Sequence, residues 1–354
     1  MPFITPSFDT IRDDLLRDIR NQLPGAATGS DSDYFARASS VASVAEGLYN
    51  HQTWITRQIF PDTADTEYLE LHCRLRNIFR KPATTASGTV TMTAESGATA
   101  PAGLMVKRDD RTWTTTEQAA AGVDGKTTAR ASASVPGVAG NTTAAMSAML
   151  VSAPTKFDSA VTVSEMRGGT EAESDASLLE RLLEAIRRPA AGGNKYDYKR
   201  WALSVPGVTE AFVYPLRRGL GTVDVVIVAG DGLPSDDTIK ATQDYIDDLR
   251  PVTAKNCLVI APAIVTVNVS LQVWLKGLSV DEARRQISAT VATWFSYLAP
   301  GETAVLSDLG SLIKAITGIW DYKFVTPTGN VVPVSDASRV EWLRPGTLTV
   351  EQSA

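Results

Sequence analysis

The first 80 residues place apolar side chains at helical spacing. In SFDTIRDDLLRDIRNQL, apolar residues recur every three or four positions after Ser7, a residue type that commonly caps a helix N-terminus. Pro24 and Gly25 follow, and both residue types end helices. The pattern predicts an amphipathic helix whose apolar stripe consists of Phe8, Ile11, Leu15, Ile19 and Leu23.

Two further helices are predicted before residue 80. The first runs from about Ser32 to Phe60, about 40 Å at 1.5 Å per residue, and Pro61 ends it. Its apolar stripe consists of Val41, Val44, Leu48, Ile55 and Ile59. The second, at 64–79, carries a stripe of Tyr68, Leu71, Leu75 and Ile78. Such narrow stripes can cover one another or face the helices of a partner protein, and the pattern leaves both open.

After Pro82 the pattern changes to period two. Residues 83–165 are rich in Ala, Thr, Ser, Gly and Val, and GTVTMTAE and ARASASV alternate apolar with polar side chains. Alternation between glycine-bearing turns is typical of small antiparallel strands, so a sandwich or a barrel with a thin core is expected. We predict a β-sandwich-like domain whose inward positions include Val90, Met92, Ala94, Ala129, Ala131, Ala133 and Val135.

Residues 166–354 alternate between helix and strand patterns. TVDVVIV predicts a buried strand, and Ser235 begins a helix that Pro251 ends. The clearest strand is IVTVNVSLQVWL, with one face made of Val265, Val267, Val269, Leu271, Val273 and Leu275. A helix comes next, with a stripe of Val280, Ala283, Ile287, Val291, Trp294 and Leu298.

An internal echo divides this half of the chain. WALSVPGVTEAFVYP and LIKAITGIWDYKFVTP both predict a helix end, a glycine turn and a strand, which indicates two related α+β units at about 190–262 and 263–345. The predicted fold class is multidomain α+β: an N-terminal helical bundle segment, a small antiparallel β domain and two α+β sheet-and-helix units. The predicted domains are 1–82, 83–165, 166–262 (with a hinge helix) and 263–354.

The stretch MRGGTEAESDASLLERLLEAIRR, 166–188, offers the strongest candidate chemistry. A phosphate loop requires a lysine after its glycines, and none follows here. Glu171, Glu173 and Asp175 alternate as calcium ligands do, but the glycines precede them and no calcium-loop turn follows; a catalytic carboxylate pair stays open. The favoured interpretation is a glycine hinge at Gly168–Gly169 followed by a helix that Ser174 or Asp175 caps.

Other candidate residues have simpler structural explanations. Gly219 and Gly221 precede a strand, which indicates a hairpin turn and not a dinucleotide loop. His72 and Cys73 are neighbours on a helix and point apart, so they favour packing over a catalytic dyad. The acids of AGDGLPSDD lie at a strand-to-helix turn. Trp274 and Trp294 fit regular elements, which favours packing over sugar stacking. We therefore predict no catalytic, cofactor-binding or metal-binding residues.

Composition narrows the function classes. The formal net charge is −6, from 34 basic and 40 acidic residues, which argues against a nucleic-acid binder. Two cysteines and two histidines argue against a disulfide framework or a cysteine-rich zinc site. No apolar run approaches the ~18 residues of a membrane span, and no secretory signal is recognisable, so folding in the cytoplasm is expected.

Several separated stretches together resemble the baseplate J-like family. RKPATTASGTV resembles its entry into the β domain, and PAGLMVKRDDRTWTTTEQAA with ASASVPGVAGNT resembles its proline-glycine strand start and its Gly-Asn turn. RGGTEAESDASLLERLLE resembles its GG hinge, although Thr170 and Glu171 stand where an acid is common and the arginine after the leucine is missing. WALSVPGVTEAFVYP and GLGTVDVVIV resemble the family's segment after the hinge. The resemblance covers most of 1–275, and the length and layout are similar to Mu-type members.

This resemblance implies a structural role and no enzymatic one. Family members are wedge components of contractile phage tail baseplates, forming a ring around the hub, typically with two copies in each of six wedges. They associate through N-terminal helices with another wedge protein and through C-terminal domains with neighbouring copies, and the ring contacts the tail hub and sheath. The implied location is the virion tail baseplate, assembled in the host cytoplasm. The family has no catalytic residues to carry over.

Two rival functions stay open on the residues alone. One is a cell-wall hydrolase with dispersed carboxylates, and the other is an adhesin that binds host glycan through 83–165. A further hypothesis is that Gly168–Gly169 and Gly192–Gly193 hinge when the sheath contracts.

Overall fold

The computed structural model describes residues 5–230 and 232–353. The chain forms two compact units. One runs to Arg80 and also takes in Ser174–Ile186, and the other holds Lys81–Glu173 and the residues from Arg187 onward. The chain therefore leaves the first unit, returns to it for one helix and leaves it again. No helix among the described residues combines the length and the apolar character needed to cross a bilayer.

The described residues of the first unit, from 5 onward, form four helices. Ser7 and Ser32 cap the first two, with their hydroxyls accepting the Thr10 and Phe35 N–H groups, which confirms the predicted helix starts. The fourth, which the sequence pattern groups with 166–262, packs on the third. The helices are α1 (Phe8–Gln22), α2 (Asp33–Ile59), α3 (Thr66–Arg74) and α4 (Asp175–Arg187).

The predicted third helix was wrong in both its length and its buried face. It ends at Arg74, and Asn77 soon after has a φ of 56°. Leu71 and Leu75, expected in the apolar stripe, are exposed. Leu69 and Cys73 are buried instead, because they pack against Leu178 and Leu182 of α4. A helix about 100 positions away in the sequence thus selects the face that α3 buries.

The second unit begins with a small all-β domain. Its strands are β1 (Ser87–Ala94), β2 (Thr99–Ala100), β3 (Met105–Arg108), β4 (Arg111–Thr115), β5 (Ala119–Ala120), β6 (Lys126–Ala133), β7 (Met146–Leu150) and β8 (Phe157–Val163). Six of them close into a barrel in the order β1-β6-β4-β3-β7-β8, while β2 and β5 pair separately. The sandwich-like prediction is corrected to a barrel, because β1 pairs with both β6 and β8 and closes the sheet.

The alternation predicted for this domain holds along its strands. Val90 and Met92 on β1 and the three alanines of β6 are buried in the barrel core, where Trp113 is the largest side chain and donates its indole N–H to the Gly140 carbonyl at 3.2 Å. Val135 was predicted to face inward, but it lies beyond the end of β6 and is exposed.

A central domain comes next, with a three-stranded sheet in the order β11-β10-β9. The strands β9 and β10 form an antiparallel hairpin whose turn contains Gly219 and Gly221, as predicted, and β11 pairs with β10 in parallel. Ser235 caps the second helix as predicted. Its elements are α5 (Lys195–Ser204), β9 (Glu210–Pro215), β10 (Thr222–Val228), α6 (Asp236–Leu249) and β11 (Asn256–Ile260).

The C-terminal domain has a different element order but also a three-stranded sheet, β13-β12-β14, whose middle strand pairs with β13 antiparallel and with β14 in parallel. The predicted face of β12 packs against α7 and α8, and the predicted stripe of α7 lies in the same core except for Val280. The last strand extends past residue 345, where the sequence echo ended. The elements are β12 (Ala263–Leu275), α7 (Val280–Tyr297), α8 (Leu306–Lys314), β13 (Ile319–Thr326) and β14 (Glu341–Gln352). The multidomain α+β class is thereby confirmed; the four domain boundaries stay predictions.

Candidate functional site: an apolar stripe on α2

The predicted stripe of α2 is exposed to solvent in the described structure. We call it the α2 stripe: Val41, Val44, Leu48, Ile55 and Ile59, whose side chains are 45–66% exposed. Val41, Leu48 and Ile55 are spaced seven residues apart, as in the contact seam of a coiled coil. Isolated exposed apolar residues are ordinary on a protein surface, but a row along one side of a helix is a candidate surface for binding another protein.

The α2 stripe is uncovered because α1 packs on a different side of the helix. Ala38 and Ala42 are the buried residues of that side, and Leu16 is the buried residue of α1. At about 100° per residue, the mean direction of the stripe lies about 120° around the helix from Ala42. The Phe8 N–H donates to the Glu46 carboxylate at 2.8 Å, which holds the start of α1 on the alanine side.

Polar contacts fix the far end of α2. The Asp65 N–H donates to Gln58 Oε1 at 2.8 Å, and Gln58 Nε2 donates back to the Asp65 carboxylate at 3.1 Å. Trp54 donates its indole N–H to the same carboxylate at 2.8 Å. The His72 ring nitrogen Nε2 lies 2.8 Å from the Gln58 carbonyl. His72 therefore braces the corner between α2 and α3, as the packing interpretation predicted, and the stripe is presented on a rigid helix.

The glycines of the 166–188 stretch pack closely, and Gly168 has a φ of 84°, as a glycine turn requires; the hinge at Gly168–Gly169 stays a prediction. A Cβ on Gly168 would lie 2.8 Å from the Ser235 Cβ, and a Cβ on Gly169 would overlap the carbonyl oxygen of Gly137. The Asn141 amide donates to the Gly169 carbonyl and accepts its N–H, both at 2.9 Å. These glycines are needed for close approach, and the hydrogen bonds hold the turn in place.

The acids of this stretch each serve a separate structural contact. Glu171 accepts the Val138 N–H at 3.0 Å, while Glu173 is buried beside Lys81. Asp175 accepts the Thr66 hydroxyl and an Arg80 N–H, each at 2.6 Å, and these bonds lower the pKa of its carboxyl. No group of three or more His, Cys, Asp or Glu residues within 5–230 and 232–353 is placed to hold a metal.

The helix and turn assignments of the remaining candidates are also resolved. Ser174 is the residue that caps α4, since its hydroxyl accepts the Ser177 N–H at 3.3 Å. In AGDGLPSDD, Asp236 and Asp237 lie in the first turn of α6, and Asp231 lies outside the described residues. Trp294 is buried in the C-terminal core, as the packing interpretation predicted.

Sequence reasoning missed a buried ionic group in the central domain. Asp224 on β10 is fully buried and accepts hydrogen bonds from Arg217 Nε at 2.6 Å and Arg218 Nε at 2.8 Å. The bond to Asp224 raises the pKa of Arg218. A signal was present, because TVDVVIV contains one acid in an apolar strand, shortly after two adjacent arginines. Buried charges require partners, so this acid had to be paired.

Comparisons with known proteins match three successive parts of the chain to family descriptions. "Baseplate J-like protein barrel domain" matches 89–169, "Baseplate J-like central domain" matches 190–261 and "Baseplate J-like protein C-terminal domain" matches 267–351.

Whole-length relatives share this similarity. Baseplate protein gp47 of Escherichia phage Mu is 30% identical, covering 97% of this chain and all of that protein. Mu-like prophage FluMu protein gp47 of Haemophilus influenzae is 31% identical, covering 85% of this chain and 89% of that protein. A chain in the solved anti-feeding prophage baseplate aligns with a TM-score of 0.40 and 13% identity, covering 94% of this chain and 90% of that one.

Proposed function

Because the chain belongs to the baseplate J-like family, we propose that it is a structural wedge component of a contractile phage tail baseplate. In this role it helps to build the ring around the central hub and to transmit the change that triggers sheath contraction. Its place is the tail baseplate of the virion. The Mu relative is named a baseplate protein, and the proposal assigns the same role to this chain.

The observation that carries the proposal is the exposed α2 stripe. A monomer gains nothing from five exposed aliphatic side chains on one side of a 27-residue helix. An amphipathic helix of another baseplate protein would bury them in a helical bundle, with side chains interlocking at seven-residue spacing. The partner surface is therefore an apolar helix stripe. Neighbouring copies of the chain associate through their C-terminal domains in this proposal.

The proposed role is not enzymatic. The acids of 171–175 are occupied by structural hydrogen bonds, so they are not free to act as a pair of general acid and base. A tail-associated hydrolase and a glycan-binding adhesin are the alternatives. Each predicts an activity of the isolated chain, either cleavage of cell-wall material or saturable binding of host glycan.

The test is to express the full chain alone and together with the products of adjacent genes. Mass photometry and negative-stain imaging then report the masses and shapes that form. We expect hetero-oligomers that close into six-fold rings when the correct neighbours are present. A chain that stays monomeric with every neighbour, and that clears cell-wall suspensions or saturates with glycan, would overturn the wedge assignment.

A further inference from the structure

The barrel and the central domain do not share a hydrophobic core in the described part of the chain. The barrel core is built around Trp113 and Met92, and the central core around Tyr198 and Ile246, with no residue in common. Interfaces between domains of one chain are more polar than obligate interfaces, and relative motion of the domains is expected unless their interface is large and hydrophobic. Individual polar contacts therefore decide how the barrel and the central domain are joined.

One of these contacts is made by a buried lysine. Lys81 Nζ donates to the Val208 carbonyl at 2.7 Å and to the Leu203 carbonyl at 3.1 Å. Leu203 lies in the last turn of α5, where a cation also complements the negative end of the helix dipole. The Glu173 carboxylate, with its side chain 2% exposed, lies 4.0 Å from the same ammonium group. We call these four residues the Lys81 joint.

Two members of the Lys81 joint belong to the base of the barrel. The segments 81–87 and 167–173 run antiparallel from the ends of β1 and β8: the Glu173 N–H donates to the Lys81 carbonyl at 3.0 Å, and the Thr84 N–H donates to the Thr170 carbonyl at 3.0 Å. The Lys81 N–H also donates to Glu173 Oε2 at 3.0 Å. The two carbonyls that receive the ammonium belong to the central domain. The joint thus connects the barrel base to the central domain through the Lys81 ammonium group.

An open groove lined mostly by polar residues lies between the barrel and the central domain. It has a volume of about 620 Å³ and is lined on the barrel by Thr89, Arg130 and Arg167 and on the central domain by Asp236 and Asp237. Arg130 and Asp237 approach to 3.7 Å across it, with both side chains mostly exposed. An exposed ion pair at this distance contributes little to holding two bodies together.

Two further close approaches between the barrel and the central domain use glycine. Gly168 of the barrel base lies against Ser235, and Gly207 of the central domain lies beside Thr84. Small residues permit close approach without interlocking side chains. The contact therefore includes a buried ionic group, close approaches at glycines and a groove.

We propose that the Lys81 joint is a pivot on which the barrel turns against the central domain, with the groove as the clearance for that movement. The ammonium group keeps its two carbonyls while the surfaces around it slide. Opening or closing the groove breaks or forms weak, solvent-exposed contacts such as Arg130–Asp237. This device lies wholly within the second compact unit and is independent of which partner binds the α2 stripe.

The test measures a distance distribution between the two bodies in the full chain. Spin labels are attached at Asp158→Cys on β8 and Asp248→Cys on α6, which are exposed, whereas the native Cys73 and Cys257 are buried. Double electron–electron resonance compares the parent with Lys81→Met and with the control Arg130→Met. We expect Lys81→Met to widen the distribution at least twofold, and Arg130→Met to leave it within error.

Hydrogen exchange gives a second readout of the same variants. Amides at 203–208 exchange at least tenfold faster in Lys81→Met, while the β1 and β6 amides keep their protection. Equal widths in parent and Lys81→Met would overturn the proposal, and so would equal widening in both variants, since the interface would then have no single pivot. If Lys81→Met fails to fold by circular dichroism, Glu173→Gln is judged by the same criteria.

Discussion

Truncating the α2 stripe should weaken assembly without weakening the fold. Full burial of a Leu or Ile side chain is worth about 2–3 kcal/mol. Leu48 is 61% exposed and Ile55 is 45% exposed, so docking can still gain about half of that value at each position, about 1–1.5 kcal/mol. The double variant Leu48→Ala and Ile55→Ala should therefore lose about 2 kcal/mol of binding free energy, or about 30-fold in Kd.

The folded chain itself should tolerate the change. Both side chains point away from the Ala38–Ala42 side that packs on α1, and alanine has a high helix propensity. Titration calorimetry with the helical partner, once it has been co-purified, gives the Kd, and a thermal melt gives the stability. The matched control is Val123→Ala with Val252→Ala, since both valines are almost fully exposed outside α2. A Kd within threefold of the parent, or equal weakening by the control, would refute the reasoning.

Three further changes test the interior of the molecule. Asp224→Asn leaves two arginines without their buried counter-charge and should destabilise by about 3–5 kcal/mol in urea unfolding, whereas Asp248→Asn on the surface of α6 should stay within about 0.5 kcal/mol. Gly169→Ala should lower the melting temperature because the added Cβ meets a backbone carbonyl. Gly47→Ala on α2, where the added Cβ meets nothing, should stabilise the folded chain by about 0.5–1 kcal/mol. The reverse order of the two stabilities would contradict the close-packing role of Gly169. Burial raises the pKa of the Cys257 thiol to about 12, so at pH 8 the native thiol should not react with a disulfide reagent until guanidinium unfolds the chain, and rapid native labelling would contradict that burial.

The 166–188 stretch shows how far local sequence reasoning reaches at a candidate site. The helix cap at Ser174 depends on nearest-neighbour chemistry and was among the predicted alternatives, whereas burial of Leu178 and Leu182 depends on packing against α3. The close packing at Gly168 and Gly169 was not predictable. A glycine needed for its backbone conformation and a glycine needed because a neighbouring backbone lies close look the same in a sequence. Only the carbonyl of Gly137 and the side chain of Ser235 distinguish the two cases.

The sequence by itself determined the elements of this protein, and the tertiary structure decided their use. Caps such as Ser7, Ser32 and Ser235 and the period-two faces of β1 and β12 were readable because they depend on residues within a few positions of each other. Closure of the barrel, the face buried by α3 and the Lys81 joint were not readable. They depend on contacts between distant residues, as between Lys81 and Val208, 127 positions apart, and no local pattern encodes which of many distant surfaces will meet.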